Sequence, residues 1–171
     1  MKTENCLIKL GINISKLKAR GLIKFEEATE LEIIETDTDG RNYLLTPQAA
    51  TAWRMLRKKA EADKISIYIV SAFRSISLQE KIIRKKLDDG IKIDEILKVC
   101  AVPGYSEHHT GCAVDIGTLN LKPLEIDFET TKAFFWLTKN ARKFGFSLSY
   151  PRGNKFGYQY EPWHWCFKEQ P

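Results

Sequence analysis

Two short motifs, far apart in the chain, constrain the fold because their side chains must meet. Residues 106–115 read Ser-Glu-His-His-Thr-Gly-Cys-Ala-Val-Asp, and residues 161–165 read Glu-Pro-Trp-His-Trp. Together they offer two imidazoles and one carboxylate to bind a metal, and a second carboxylate to act on water. Three protein ligands with an open fourth position are typical of a catalytic zinc site. The sequence therefore predicts a fold that brings both motifs to one zinc ion.

The predicted metal ligands are His108, Asp115 and His164. Gly111 lets the backbone turn sharply between the loop of His108 and the predicted strand that holds Asp115. In the strand at 163–167, alternation places the two indoles on one face and His164 on the other. A loop imidazole, a strand carboxylate and a strand imidazole can therefore converge on one ion.

His109 competes with His108 for the metal. Neighbouring side chains near a strand point in opposite directions, so only one of the two should face the ion. We favour His108, partly from the resemblance described below, and expect His109 to be a substrate-side or solvent-exposed ring. The four cysteines show no C-x-x-C spacing, which argues against a closed zinc ribbon or finger.

Glu161 and Arg74 are the predicted catalytic side chains. Glu161 lies three residues before His164, so the chain must begin its strand, bend or bulge around Pro162 if both are to converge. A carboxylate there can take a proton from water and pass it to a leaving amine. Arg74 follows a predicted strand, next to a helix N-terminus, where a cation can stabilise the oxyanion of amide hydrolysis.

Two further polar residues, Gln79 and Ser106, are predicted to hydrogen-bond a peptide substrate. Ser77 is instead expected to cap a helix, because Ser77-Leu78-Gln79-Glu80 has the form of a capping box.

The hydrophobic pattern predicts an α+β fold, a single domain with a mainly antiparallel sheet and flanking helices. A hairpin is expected around Asp39-Gly40. Predicted strands are 31–35, 42–45, 65–70, 112–117, 146–150 and 163–167. Predicted helices are 47–63, 77–89, 93–101 and 128–144, the last closed by Gly145. Residues 1–45 should form an N-terminal extension with the hairpin, packed on a catalytic domain of residues 46–171.

Length and charge narrow the class of protein. A chain of 171 residues is most simply one domain, expected to be monomeric. No run of about 18 apolar residues exists, which argues against a transmembrane helix. No signal-like apolar stretch opens the chain, so a cytoplasmic location is expected, or the cell envelope if export uses another route or the chain is truncated. A net charge of +5 without interleaved aromatic residues argues against nucleic acid as a partner.

Together the motifs resemble those of the zinc D-alanyl-D-alanine carboxypeptidases of the VanY type. These belong to the LAS group of peptidases, named after lysostaphin, D-Ala-D-Ala peptidases and sonic hedgehog. The resemblance rests on Ser-Ala-Phe-Arg-Ser at 71–75 with Gln79, on Pro-Gly-Tyr-Ser-Glu-His-x-Thr-Gly-x-Ala-Val-Asp-Ile at 103–116, and on the 161–165 motif. It runs from about Thr46 to Phe167. His109 stands where glutamine is frequent.

The resemblance implies a hedgehog/DD-peptidase-like fold and one zinc ion per chain, held by His108, Asp115 and His164. It implies that Glu161 is the catalytic base and that Arg74 stabilises the tetrahedral intermediate. The residues implied to line the substrate site are Gln79 and Ser106.

The expected activity is hydrolysis of the peptide bond before a C-terminal D-alanine in a peptidoglycan stem peptide or its precursor. The alternatives are a cytoplasmic D-Ala-D-Ala dipeptidase, an endolysin-type endopeptidase and a non-catalytic zinc module that binds peptide.

Overall fold

A four-stranded antiparallel sheet surrounded by helices forms the centre of the protein, and the computed structural model describes residues 2–169. The strands are β1 (Glu32–Thr36), β2 (Asn42–Leu45), β3 (Tyr68–Ser71), β4 (Ala113–Gly117), β5 (Phe146–Leu148) and β6 (His164–Phe167). The helices are α1 (Lys2–Lys9), α2 (Ile14–Ala19), α3 (Pro47–Ala62), α4 (Ile76–Asp88), α5 (Ile93–Val99) and α6 (Lys132–Asn140). Three 3₁₀ turns cover Glu107–Thr110, Ile126–Thr130 and Ala141–Phe144. The predicted α+β class and antiparallel sheet are confirmed.

The register of the central sheet decides which side chains share a face. The strand order is β3-β4-β6-β5, and every neighbouring pair is antiparallel. Asp115 on β4 lies opposite His164 on β6 and opposite Ser71 on β3. Directly opposed residues in a sheet point to the same side. The pairing therefore sets a serine, a carboxylate and an imidazole in one row on one face.

The other face of this sheet packs in the main hydrophobic core. Val114 and Ile116 flank Asp115 in the strand, so alternation turns them toward α3 and α6. Trp53 of α3 is almost fully buried there, edge-on to the ring of Phe146. Each large apolar side chain buried in this way contributes about 1.5–3 kcal/mol of transfer free energy. The strand that carries Asp115 is therefore packed against the hydrophobic core on its opposite face.

The N-terminal residues form two helices that were not predicted from the sequence. Leu7, Leu10 and Leu17 are buried in a second cluster with apolar residues of α4, α5 and the loop after α5. The following segment hydrogen-bonds to the loop of the first motif, Phe25 N–H to the carbonyl of Gly104 and Ala28 N–H to that of His109. The hairpin of β1 and β2 forms as predicted. The boundary proposed after residue 45 stays a prediction.

Two helix predictions are wrong in detail. Helix α4 begins after Ser75, whose hydroxyl accepts a hydrogen bond from Leu78 N–H, whereas Ser77 lies inside the first turn. The helix expected over 128–144 is broken into a 3₁₀ turn, α6 and a second 3₁₀ turn. Thr131 ends the first piece and caps α6 by accepting from Phe134 N–H at 3.1 Å. A threonine whose side chain competes for backbone donors favours such a boundary.

No helix within residues 2–169 is long and apolar enough to cross a bilayer.

Replacing Gly111 with alanine is expected to lower the free energy of unfolding. Gly111 has φ +66° where the 3₁₀ turn of the first motif ends, and an added Cβ would lie 2.8 Å from Leu31 Cδ2 and 3.2 Å from Thr46 N. The left-handed conformation alone costs a non-glycine residue about 1–2 kcal/mol. Urea unfolding of Gly111→Ala should therefore show a larger loss than Gly40→Ala, since Gly40 has φ +79° but open space at its Cβ position. Equal losses would contradict the steric part of this prediction.

Candidate metal centre

His108, Asp115 and His164 meet at the polar face of the central sheet. One ligand atom from each lies within 4.8 Å of the other two, and all three residues are buried. His108 comes from the 3₁₀ turn before β4, Asp115 from β4 and His164 from the start of β6. The three side chains predicted as ligands are therefore brought together.

The ring nitrogens of His108 are oriented for a cation. Nδ1 lies 2.7 Å from the carbonyl oxygen of Ala72, which can only accept, so Nδ1 carries the hydrogen. The lone pair of Nε2 then faces Asp115 Oδ2 at 3.2 Å. Burial lowers the pKa of His108, and the charge of the Asp115 carboxylate opposes this shift. Imidazole nitrogen and carboxylate oxygen are donors that zinc takes, so Nε2 of a deprotonated His108 and the Asp115 carboxylate would both suit a zinc ion.

His164 lies between two carboxylates. Nδ1 is 2.9 Å from Asp115 Oδ1, and Nε2 is 3.0 Å from Glu107 Oε2. Burial alone would lower the pKa of His164, but the hydrogen bonds with these carboxylates outweigh it and raise the pKa to about 10. For Asp115, burial is likewise outweighed by His108 and His164, which hold its pKa well below the usual range. Metal binding at Nδ1 must therefore displace a proton.

Glu161 reaches the same site because the chain turns at Pro162. The N–H of His164 donates to the carbonyl of Glu161 at 3.1 Å, and β6 begins only at His164. The predicted bend is thus observed, and Glu161 Oε2 lies 3.9 Å from His164 Nδ1. Burial raises the pKa of Glu161 to about 7, with the charge of Asp115 adding to the rise. A carboxyl group with such a pKa can accept and return a proton near neutral pH.

Arg74 is held with its guanidinium beside the ligands. Its Nη1 donates to Gln79 Oε1 at 2.8 Å and its Nη2 to Ser71 Oγ at 3.0 Å, and Nη2 lies 3.8 Å from Asp115 Oδ2. Gln79 is fully buried, and its Nε2 donates to the carbonyl of Ala101 at 2.6 Å. Both polar atoms of this amide are therefore used within the protein. Gln79 orients Arg74, and its predicted contact with substrate stays a prediction.

A cavity of about 640 Å³ opens over the three predicted ligands. Its wall includes Arg74, Glu161 and the predicted substrate residue Ser106. Ser106 Oγ accepts from the N–H of His108 at 3.3 Å, which starts the 3₁₀ turn. The cavity is large enough for part of a peptide, and its polar groups converge at one end.

The expectation that His109 is a substrate-side or exposed ring is wrong. The ring is fully buried, with Nδ1 2.6 Å from the carbonyl oxygen of Arg74 and Nε2 accepting from Gly104 N–H at 3.1 Å. The adjacent-residue argument was right that only His108 faces the other ligands. His109 instead ties the loop of the first motif to the loop of Arg74.

Two residues at the centre received no role from the sequence. Glu107 contacts Nε2 of His164, the ring nitrogen that does not face Asp115. The ring of Tyr150 lies over the same imidazole, with 4.7 Å between the ring centroids. In the sequence, only the position of Glu107 beside the predicted ligand His108, inside the first motif, pointed to a role for this residue. Its partner lies fifty-seven residues away, so the pairing required the fold.

Comparison with known proteins links these motifs to one family. A family model described as VanY, D-alanyl-D-alanine carboxypeptidase, matches residues 42–170. YodJ of Bacillus subtilis (strain 168), a predicted carboxypeptidase, is 34% identical over 121 residues, which cover 68% of this chain. The same match covers 44% of YodJ, so the chain spans less than half the length of this relative.

Solved structures agree with the fold and with the family. The LD-carboxypeptidase LdcB, described for its peptidoglycan recognition, has a TM-score of 0.72 at 29% identity and covers 82% of this chain and 69% of its own. A vancomycin-resistance D,D-pentapeptidase VanY, in which a glutamate is replaced by alanine, was solved in complex with Zn(II). It has a TM-score of 0.64 at 25% identity and covers 85% of this chain and 82% of its own.

Proposed function

The chain belongs to the VanY family of D-alanyl-D-alanine carboxypeptidases, and we propose from this that it is a zinc carboxypeptidase. Its substrate is a peptidoglycan stem peptide or precursor, cut at the bond before a C-terminal D-alanine. The observation that carries the proposal is the convergence of His108, Asp115 and His164 within 4.8 Å, in a cavity that also holds Glu161 and Arg74. One zinc ion per chain and a monomeric protein belong to the same proposal.

The site divides the chemistry among its side chains. Zinc, when bound, supplies Lewis acidity that activates water and polarises a carbonyl. Glu161 takes the proton from the attacking water as the new C–O bond forms. Arg74, with both terminal nitrogens fixed by Gln79 and Ser71, directs positive charge toward the oxyanion. Glu161 then gives its proton to the nitrogen of the departing D-alanine as the C–N bond breaks.

Arg74→Lys should lower kcat by about 10²–10³-fold, the usual cost of losing one oxyanion donor. The ammonium group of lysine cannot make the paired contacts of the guanidinium with Gln79 and Ser71, so its charge is no longer held in position to stabilise the oxyanion. Steady-state kinetics on a stem pentapeptide give the measurement. Arg84→Lys on α4, where the exposed Arg84 pairs with Glu80, is the matched control. A kcat of Arg74→Lys equal to that of the control would remove Arg74 from the mechanism.

Mass spectrometry tests the activity itself. Zinc-loaded protein is incubated with a stem pentapeptide, a tetrapeptide and free D-Ala-D-Ala, with chelator-treated protein and Glu161→Ala as controls. Loss of one alanine from a stem peptide, abolished in both controls, is the expected result. Loss from the pentapeptide indicates D,D-specificity, and loss from the tetrapeptide indicates L,D-specificity.

The other outcomes identify the alternatives. Cleavage of free D-Ala-D-Ala alone would indicate a dipeptidase, and cleavage inside the stem an endopeptidase. Zinc binding without cleavage of any substrate would contradict the proposal and favour a module that only binds peptide.

A further inference from the structure

Glu107 is a partly buried carboxylate that contacts the predicted ligand His164. It opens the 3₁₀ turn of the first motif, one residue before His108, and its side chain is 13% exposed. Its Oε2 lies 3.0 Å from Nε2 of His164, whereas Nδ1 of the same ring faces Asp115. Glu107 therefore contacts the imidazole on the nitrogen that is not directed to the metal.

The chemistry of this contact decides which nitrogen of His164 can bind a metal. An ionised carboxylate only accepts hydrogen bonds, so Nε2 must carry the hydrogen. The separation of 3.0 Å between Glu107 Oε2 and Nε2 is that of a hydrogen bond, which leaves Nδ1 as the ring nitrogen free to bind a metal. When the ring is neutral, its lone pair then lies on Nδ1, toward Asp115 and His108.

The two imidazoles are oriented by different groups. His108 donates from Nδ1 to the carbonyl of Ala72, while His164 donates from Nε2 to the carboxylate of Glu107. Metal-binding histidines commonly donate their second N–H to such partners, which fixes the ring and raises its basicity as a ligand. A carboxylate also adds negative charge next to the site, which a backbone carbonyl does not.

Glu107 has contacts that hold it in place on the far side of the ring. Ser149, which follows β5, lies close to its carboxylate. A second cavity of about 540 Å³ borders Glu107 and Ser149 and does not include the three predicted ligands among its lining residues. Glu107 thus borders a cavity other than that of the substrate, and its direct contact with the metal centre is through His164.

We propose that Glu107 is a positioning residue of the metal centre, which holds His164 with Nδ1 directed to the ion and strengthens this ligand. The inference rests on the metal binding of the proposed function but not on peptide hydrolysis. Removal of such a partner typically costs 10–100-fold in metal affinity.

Competition with a chromophoric zinc chelator, without any peptide, tests the inference. The dissociation constant for zinc should rise by about 10–100-fold in Glu107→Ala. It should rise less in Glu107→Gln, because the amide oxygen still accepts from Nε2–H but carries no charge. Glu95→Ala is the matched control, since Glu95 is exposed on α5 and pairs with Lys98, and its zinc affinity should equal that of the wild type. Nitrogen-15 NMR of the zinc-loaded wild type should show the hydrogen on Nε2 of His164.

Three results would overturn the inference or separate it from the proposed function. A folded Glu107→Ala or Glu107→Gln protein with wild-type zinc affinity would overturn it and leave the proposed function intact. A wild-type protein that binds no zinc would overturn both. Weaker zinc binding in the Glu107 variants, in a protein that cleaves no peptide, would support the role of Glu107 and contradict the proposed activity. The thermal midpoint of each metal-free variant shows whether it is folded.

Discussion

Glu161→Gln is expected to lower kcat by about 10²–10⁴-fold, the usual contribution of a general base, while zinc stays bound. Glutamine keeps the size of the side chain but cannot accept a proton from water. Glu161 is not one of the three convergent ligands, so its loss leaves the donor set of His108, Asp115 and His164 intact. Stem-peptide kinetics and chelator competition on the same preparation measure the two effects.

The pH profile provides a second measurement for the same residue. Burial raises the pKa of Glu161 to about 7, and the group must be ionised to act as a base. In the wild type, kcat/KM should therefore rise as pH increases toward 7, with the midpoint at or below 7 because a bound cation favours the ionised form. The residual activity of Glu161→Gln should lack this acid limb. Glu125→Gln, which removes another carboxylate of the cavity, should retain the acid limb. Loss of the limb in Glu125→Gln would show that a group other than Glu161 produces it.

Asp115→Asn should abolish zinc binding at micromolar metal and reduce hydrolysis to the level of chelator-treated protein. Each carboxylate oxygen of Asp115 contacts one of the predicted histidine ligands. Oδ2 lies 3.2 Å from His108 Nε2, and Oδ1 lies 2.9 Å from His164 Nδ1. The amide removes the negative charge and places an NH₂ group where one of these oxygens was. The loss of affinity should exceed the 10–100-fold typical of a residue that only supports a ligand.

Zinc affinity by chelator competition and peptide hydrolysis by mass spectrometry check this expectation. Asp127→Asn, an exposed residue of the second 3₁₀ turn, is the matched control and should behave as wild type. An Asp115→Asn protein that binds zinc normally would place the ion elsewhere and contradict the proposed centre. Its metal-free unfolding should be measured as well, because Asp115 also pairs with a protonated His164.

Local patterns in the sequence were sufficient to predict most elements of the sheet and the types of side chain at the site. The Asp-Gly hairpin, the proline at the first position of α3 and the glycine that ends the last 3₁₀ turn depend on a few neighbouring residues. The same holds for the bend at Pro162, which strand parity required before it was observed. These features can be predicted from sequence because each depends on the backbone dihedral preferences of a few consecutive residues.

Local patterns failed where two signals competed or where contacts were distant. Ser75 and Ser77 are both suitable caps, and only the path of the chain after β3 selects Ser75. Thr131 interrupts a continuous apolar pattern that favours one long helix. The helices of residues 2–19 gain their stability from packing against α4 and α5, since helices this short are marginal alone.

The sequence by itself determined the donor types of the centre, the antiparallel class of the sheet and the family. Only the tertiary structure decided the partners of the site residues. Glu107 contacts His164, Gln79 accepts a hydrogen bond from Arg74, and the buried His109 contacts the carbonyl of Arg74. It also decided the raised pKa of Glu161. The reason is physical, because residue type and spacing encode local geometry, whereas burial and hydrogen-bond partners arise from strand register and packing between distant segments.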